Sequence, residues 1–243
     1  MSAVDVPSSK GGLHWPELTA GTLIKRYKRF LADVRLDSGE LVTAHCPNSG
    51  SMKGCSEPGR PVYLSYHDNP RRKLKYSWEL IHMPSSLVGV NTLMPNRLVA
   101  HTIEKGMIPE LNGYGRVKRE ISIGNKSRLD LLLTGKDLPP CYVEIKNCSL
   151  VEKKVAMFPD AVTARGRKHL VELQRLVADG SCSLMFFLIQ RMDAQSFRPA
   201  AHIDPAYAEE LKKANDNGVD ILCYDVGIDL NSIRIRRPLP VTL

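Results

Sequence analysis

The sequence predicts an α+β protein of two domains, a small N-terminal β-barrel and a C-terminal mixed sheet flanked by helices. Three observations carry this. Five short runs alternating apolar and polar residues fall between Thr22 and His82, each ended by a turn signal. From Asn91 onward, patterns with helical period are interleaved with longer apolar strand-like runs. The chain has 243 residues, 43% of them apolar, enough for two cores.

In the N-terminal half, residues 1–21 are rich in Ser, Gly and Pro and read as a flexible tail. Residues 22–85 form the first predicted domain. The run 23–36 alternates basic and apolar side chains, and Asp37-Ser38-Gly39-Glu40 reads as a hairpin turn. Strands follow over 41–45, 62–67 and 76–82, with a basic loop over 69–75. That number and rhythm of strands is OB-like. Two stretches interleave cations with rings: Lys25, Arg26, Lys28 and Arg29 around Tyr27 and Phe30, then Arg71, Arg72, Lys73 and Lys75 before Tyr76 and Trp78. Cations hold phosphates while rings stack on bases, so these eight are the candidate nucleic-acid contacts. Plain alternation on an exposed strand gives the same pattern; Phe30 and Trp78 are expected in the core.

Residues 86–243 form the second predicted domain. A helix is expected over 91–105, stopped by Gly106. Strands follow over 116–123, 127–134 and 140–146, then a helix over 160–178 with Leu170, Leu173 and Val177 at core spacing. A strand over 183–190, a helix over 205–217 and a strand over 219–226 complete an αβββαβαβ order, which packs naturally as a mixed sheet between helices.

Chemistry concentrates where strands are most apolar. Asp130 lies within Leu129-Asp130-Leu131-Leu132-Leu133, and Glu144 and Lys146 flank Ile145 in the next strand. Period two puts Glu144 and Lys146 on one face, and a tight hairpin brings Asp130 beside them. Two carboxylates suit a divalent cation, Mg²⁺ or Mn²⁺, and an ammonium suits a phosphate oxygen or an attacking water. A solvated strand face is the blander reading, but charges inside strands this apolar are usually paired or functional. Asp on one central strand with Glu-x-Lys on the next resembles the PD-(D/E)xK nuclease fold, with Leu129 standing where that pattern has Pro. The resemblance implies a Glu from the first helix, for which Glu104 is the candidate third metal ligand; a solvated helix end is the alternative. Glu120 reads better as a cross-strand partner of Lys118 or Arg128.

In the following helix Asp160 reads as the N-cap. Arg165, His169 and Glu172 share the face opposite Leu170, Leu173 and Val177. From there Arg165 could hold phosphate charge and His169 could place a water; plain solvent exposure is the competing expectation. Gly166 is costly in a helix and calls for a close approach or a bend.

Composition limits the function classes. A net charge of +8 with pI near 9.2 favours a polyanionic partner. Six cysteines show neither a C-x-x-C pair nor zinc spacing, and Cys141, Cys182 and Cys223 fall in predicted strands as small hydrophobes. With no signal peptide and no membrane-length apolar run, a cytoplasmic protein with free thiols is expected. No organic cofactor is expected.

Seven blocks then make a resemblance specific: 23–34 (LIKRYKRFLADV), 45–52 (HCPNSGSM), 91–93 (NTL), 127–130 (SRLD), 144–146 (EIK), 158–166 (FPDAVTARG) and 239–243 (LPVTL). In that order they resemble the bacterial sugar fermentation stimulation protein family, SfsA. The resemblance implies an OB-like domain before a nuclease-like domain, DNA binding with little sequence preference, and a regulatory role in maltose and sugar use. DNA is the expected partner, RNA a further candidate, and a homodimer is plausible for a regulator. Mg²⁺-dependent cleavage of DNA or RNA is the alternative function. A third, binding of a small carbohydrate, rests on the family name alone.

Overall fold

A computed structural model describes residues 11–123 and 127–243. Of the predicted tail, residues 1–10 lie outside the described residues, and residues 11–21 carry a short first strand and the start of the next. Strand β1 (Leu13–His14) pairs with the last strand of the chain, and β2 begins at Leu18. Trp15 is buried there, its indole N–H donating to the Asp229 carbonyl at 3.0 Å.

Strands β2 (Leu18–Tyr27), β3 (Leu31–Leu36), β4 (Leu41–His45), β5 (Pro61–Tyr66) and β6 (Tyr76–Met83) close into a five-stranded barrel, because β4 also pairs in parallel with β6. Alternation builds its core: Ala32, Val34 and Leu36 point inward from β3 against Val62, Leu64 and Trp78. Gly39 makes the β3–β4 turn with φ +92°, where a side chain would be strained. Trp78 is core as expected. Phe30 is not: it follows two turn residues of positive φ, Lys28 and Arg29, and stands 45% exposed. Strand β7 (Ser86–Gly89) pairs with β6 and so carries the barrel's sheet past residue 85.

Helix α1 (Met94–Glu104) opens the second unit. It starts later than the periodicity implies because the Asn91 side chain accepts the Leu93 amide in a turn. It stops at Gly106, φ +65°, as expected. Strands β8 (Tyr114–Ile123), β9 (Ser127–Gly135) and β10 (Cys141–Cys148) form an antiparallel meander. A small hairpin, β11 (Leu150–Glu152) and β12 (Val155–Phe158), precedes α2 (Ala164–Ala178). Then come β13 (Cys182–Ile189), β14 (Ser196–Pro199), α3 (Pro205–Asp216), β15 (Asp220–Ile228) and β16 (Ser232–Pro238).

The large sheet runs β1-β16-β15-β13-β10-β9-β8, with β10, β13 and β15 mutually parallel. Each of its faces buries a core. Val143 and Ile145 join α1 on one side, whereas Tyr142 and Cys148 join α2 and α3 on the other. Glu144 and Lys146 share the parity of Tyr142 and therefore face α2. Barrel and sheet are stitched at Gly89, whose N–H donates to the Gln190 carbonyl, and at Asp160, which accepts the Met52 amide at 2.9 Å.

Candidate metal and nucleic-acid site

The β9–β10 ladder ends at the Val143–Leu131 pair. Past that point the Ile145 N–H turns to the Asp130 side chain, donating to Oδ2 at 2.8 Å, while Asn96 Nδ2 of α1 donates to Oδ1 at 2.6 Å. Asp130 is thus fixed beside the backbone that carries Glu144. Across the sheet, Glu144 is almost wholly buried. Its Oε1 accepts from Lys146 Nζ at 2.5 Å and also contacts His169 Nδ1, and Lys146 Nζ lies 3.4 Å from that ring nitrogen. Glu144 Oε2 is buried with no protein partner. An ionised carboxylate oxygen left this way calls for a cation or an ordered water.

The environments separate the two acids. Burial, reinforced by the Glu144 charge, raises Asp130 to about 6 against the hydrogen bonds from Ile145 and Asn96 and the charge of Lys146. Burial pushes Glu144 upward too, but His169 and Lys146 outweigh it and hold its carboxyl below the ordinary value. One carboxylate is firmly ionised and the other takes or yields a proton near neutrality.

The structure therefore brings Asp130, Glu144, Lys146 and His169 together, and it adds Asn96, which no motif in the sequence marks. His169 is buried rather than on a solvated face. Arg165 stands exposed one turn earlier on α2, outside the hydrogen-bonded cluster. Glu104 does not join the cluster: it sits in the last turn of α1, half exposed, 3.8 Å from Arg119. Asn96 is the residue by which α1 reaches Asp130, and eight residues of helix, about 12 Å of rise, separate it from Glu104. Among the described residues no group of three or more His, Cys, Asp and Glu is arranged to hold a metal ion. Glu120 pairs with Arg128 at 2.9 Å, the expected cross-strand role. Asp160 is not the cap of α2. Thr163 is, accepting the Gly166 amide at 3.0 Å, while Asp160 anchors the 48–52 loop. Gly166 is needed for close approach, since a Cβ there would lie 2.8 Å from Thr163 and 3.1 Å from the Tyr207 ring.

The basic residues of the barrel divide. Arg26 is structural: its guanidinium donates to the carbonyls of Asn48, Gly50 and Ser51 at 2.9–3.2 Å. Lys25 lies 3.6 Å from Asp33 and over the Tyr27 ring. Lys28, Arg29, Arg71 and Lys73 are exposed. Arg72 donates to Ser77 Oγ at 2.8 Å, and Lys75 to the Asn69 carbonyl at 3.1 Å. All six cysteines are free thiols, and no described helix is long and apolar enough to cross a membrane.

Comparison with known proteins places these features. Residues 24–90 match the family model of the SfsA N-terminal OB domain, and residues 93–232 match that of the sugar fermentation stimulation protein RE domain. A sugar fermentation stimulation protein homolog of Pelobacter propionicus is 51% identical over 94% of this chain and 99% of its own. A homolog from Geobacter sulfurreducens is 52% identical over 92% and 96%. Among solved structures, Pyrococcus furiosus SfsA in complex with Ca²⁺ superposes with a TM-score of 0.88 at 29% identity, covering 95% of this chain and 98% of that one.

Proposed function

The chain belongs to the sugar fermentation stimulation protein family, and from that premise we propose that it binds DNA and cleaves its phosphodiester bonds with a divalent cation. The observation that carries this reading is the Asp130–Glu144–Lys146 cluster with its unpartnered Glu144 Oε2. Asp130 and Glu144 are the residues that would hold Mg²⁺ or Mn²⁺, and the Ca²⁺ bound by the Pyrococcus furiosus protein supports a divalent site. Such an ion supplies Lewis-acid activation of a phosphoryl oxygen and of a water. The sheet order supports a nuclease-like second domain: an antiparallel meander ends in β10 and continues in parallel to β13, with helices on both faces.

The protein's own groups have distinct tasks. Asn96 and the Ile145 amide orient Asp130. His169 fixes Glu144 and keeps it ionised. Lys146 can swing its ammonium from Glu144 to a phosphate oxygen or to the attacking water. Arg165, exposed at the start of α2, is positioned to meet phosphate charge, and the exposed Lys28, Arg29, Arg71 and Lys73 supply non-specific contacts along the backbone.

The test is incubation with single- and double-stranded DNA and with RNA in Mg²⁺ or Mn²⁺, beside Asp130→Asn and Glu144→Gln. Cleavage by the parent protein alone supports the reading. Equal cleavage by both variants means contamination and defeats it. The contacts that Lys146 and His169 make with Glu144 Oε1 favour a second reading: DNA binding without cleavage, in a regulatory role in sugar use. Salt-dependent DNA binding with no metal uptake would select that one.

A further inference from the structure

A cavity of about 720 Å³ opens between the barrel and the start of α1, and its lining shares no residue with the acidic cluster. Arg72, Arg97, His45 and His67 line it. Neither arginine makes an ion pair with a carboxylate among the described residues; Arg72 has only the neutral Ser77 hydroxyl. The carboxylate in the lining, Glu79, is buried and already engaged. Its Oε1 accepts from Ser65 at 2.7 Å and its Oε2 from Asn91 at 2.8 Å. His67 closes this chain, its Nε2 lying 3.0 Å from Ser65 Oγ. Two guanidiniums against the one Glu79 carboxylate leave the concavity net positive and focus positive potential there. Burial and the Arg72 charge hold both His45 and His67 below the ordinary value, so each has a proton to gain when an anion arrives. Helix α1 adds its positive end: its N-cap Leu93 has no side-chain cap, and Leu93 and Met94 line the cavity.

Size and lining set the rest of the ligand. The volume is that of an organic ligand site and far exceeds what a bare phosphate needs. Apolar surface from Trp15, Pro47 and Leu93 stands beside the cationic groups, and Leu93 is 67% exposed.

We propose that this cavity is a nucleotide pocket, binding a nucleoside phosphate monoester with its phosphate on Arg72 and Arg97 and its ring against the Trp15–Leu93 wall. A free mononucleotide and the phosphorylated end of a nucleic acid share that chemistry. The first turn of α1 touches both places, since Asn96 bonds Asp130 while the adjacent Arg97 lines the cavity. Binding here needs no metal and no cleavage, so it stands or falls apart from the reaction proposed above.

The experiment is calorimetric titration of the full chain in a chelator. The probes are deoxyadenosine monophosphate and one single-stranded oligonucleotide prepared with a 5′-phosphate or a 5′-hydroxyl. The phosphorylated oligonucleotide should bind at least about tenfold more tightly than its hydroxyl twin, as expected when charge-assisted bonds to the phosphate are added. The exposed Arg97→Gln should erase that preference while leaving the melting temperature in place. Mononucleotide binding as tight as the phosphorylated oligonucleotide identifies the free nucleotide as ligand; weaker binding identifies the chain end. No preference for the phosphate, together with no mononucleotide binding, overturns the proposal. So does a phosphate preference that Arg97→Gln leaves intact.

Discussion

Asn96 Nδ2 donates to Asp130 Oδ1 at 2.6 Å, so the first turn of α1 holds the carboxylate that β9 presents. The bond favours the ionised acid, working against the burial that raises it. Asn96→Leu removes the donor without adding charge. The Asp130 titration followed by carboxylate ¹³C NMR should then move above its value of about 6, and divalent-metal affinity at neutral pH should fall. The stability cost should be about 1 kcal/mol, that of one hydrogen bond. An unmoved titration would show that Asn96 does not position Asp130.

Asp130 also sets a pH dependence whose sign is unusual for a carboxylate. Its folded value, about 6, lies above the ordinary 3.8, so the folded state binds more protons between those limits. Stability from this group is present at the acid end and is lost as pH rises through about 6. At 1.36 kcal/mol per pH unit, the loss is at most about 3 kcal/mol. Asp130→Asn should therefore gain stability over the parent protein progressively from pH 3.8 to about 6 and hold that gain above it. Chemical denaturation across that range in metal-free buffer reads the difference, and a parallel pair of curves would refute it.

Metal binding should invert that cost. A cation needs Asp130 ionised, so affinity for Ca²⁺ or Mn²⁺ should fall about tenfold per pH unit below about 6 and level off above. At a hundredfold excess over Kd, the metal should stabilise the protein by about 2.7 kcal/mol. Glu144→Gln keeps an acceptor for Lys146 and His169 but loses the charge. It should abolish the metal-induced rise in melting temperature; a rise equal to that of the parent protein would place the cation elsewhere.

Most of the fold could be read from periodicity, and much of the site from two strands. Glu144 and Lys146 share a face because period two admits nothing else, and these charges inside apolar runs do lie side by side. What escaped was set by long-range contact. Asn96 is an ordinary helix-surface polar residue until α1 packs across β9. Glu104 was placed by analogy with a helix end that here lies too far along the axis. His169 occupies a helical position that periodicity assigns to solvent, yet the Glu144 carboxylate draws it inward. Strand β16 was missed because its Ile233 and Ile235 alternation is short and Arg-rich. The small β11, β12 and β14 ladders rest on pairing rather than on local pattern.

Arg26 shows the same limit in the basic stretch of β2, and it separates two effects that charge counting merges. Its guanidinium holds three carbonyls of the 48–51 loop, the loop that leads into Met52 and its bond to Asp160. Arg26→Ala leaves those carbonyls to water and frees the loop. It should cost about 2–4 kcal/mol, as loss of several charge-assisted bonds does, while the salt dependence of DNA binding stays as it was. The Arg71 and Lys73 side chains are exposed and bond to nothing among the described residues. Arg71→Ala and Lys73→Ala should leave melting temperature unchanged and each lower the slope of log affinity against log salt by about one. Fluorescence anisotropy over a salt series, run beside thermal denaturation, distinguishes the two classes. A slope change in Arg26→Ala with no loss of stability would return that arginine to the proposed DNA contacts.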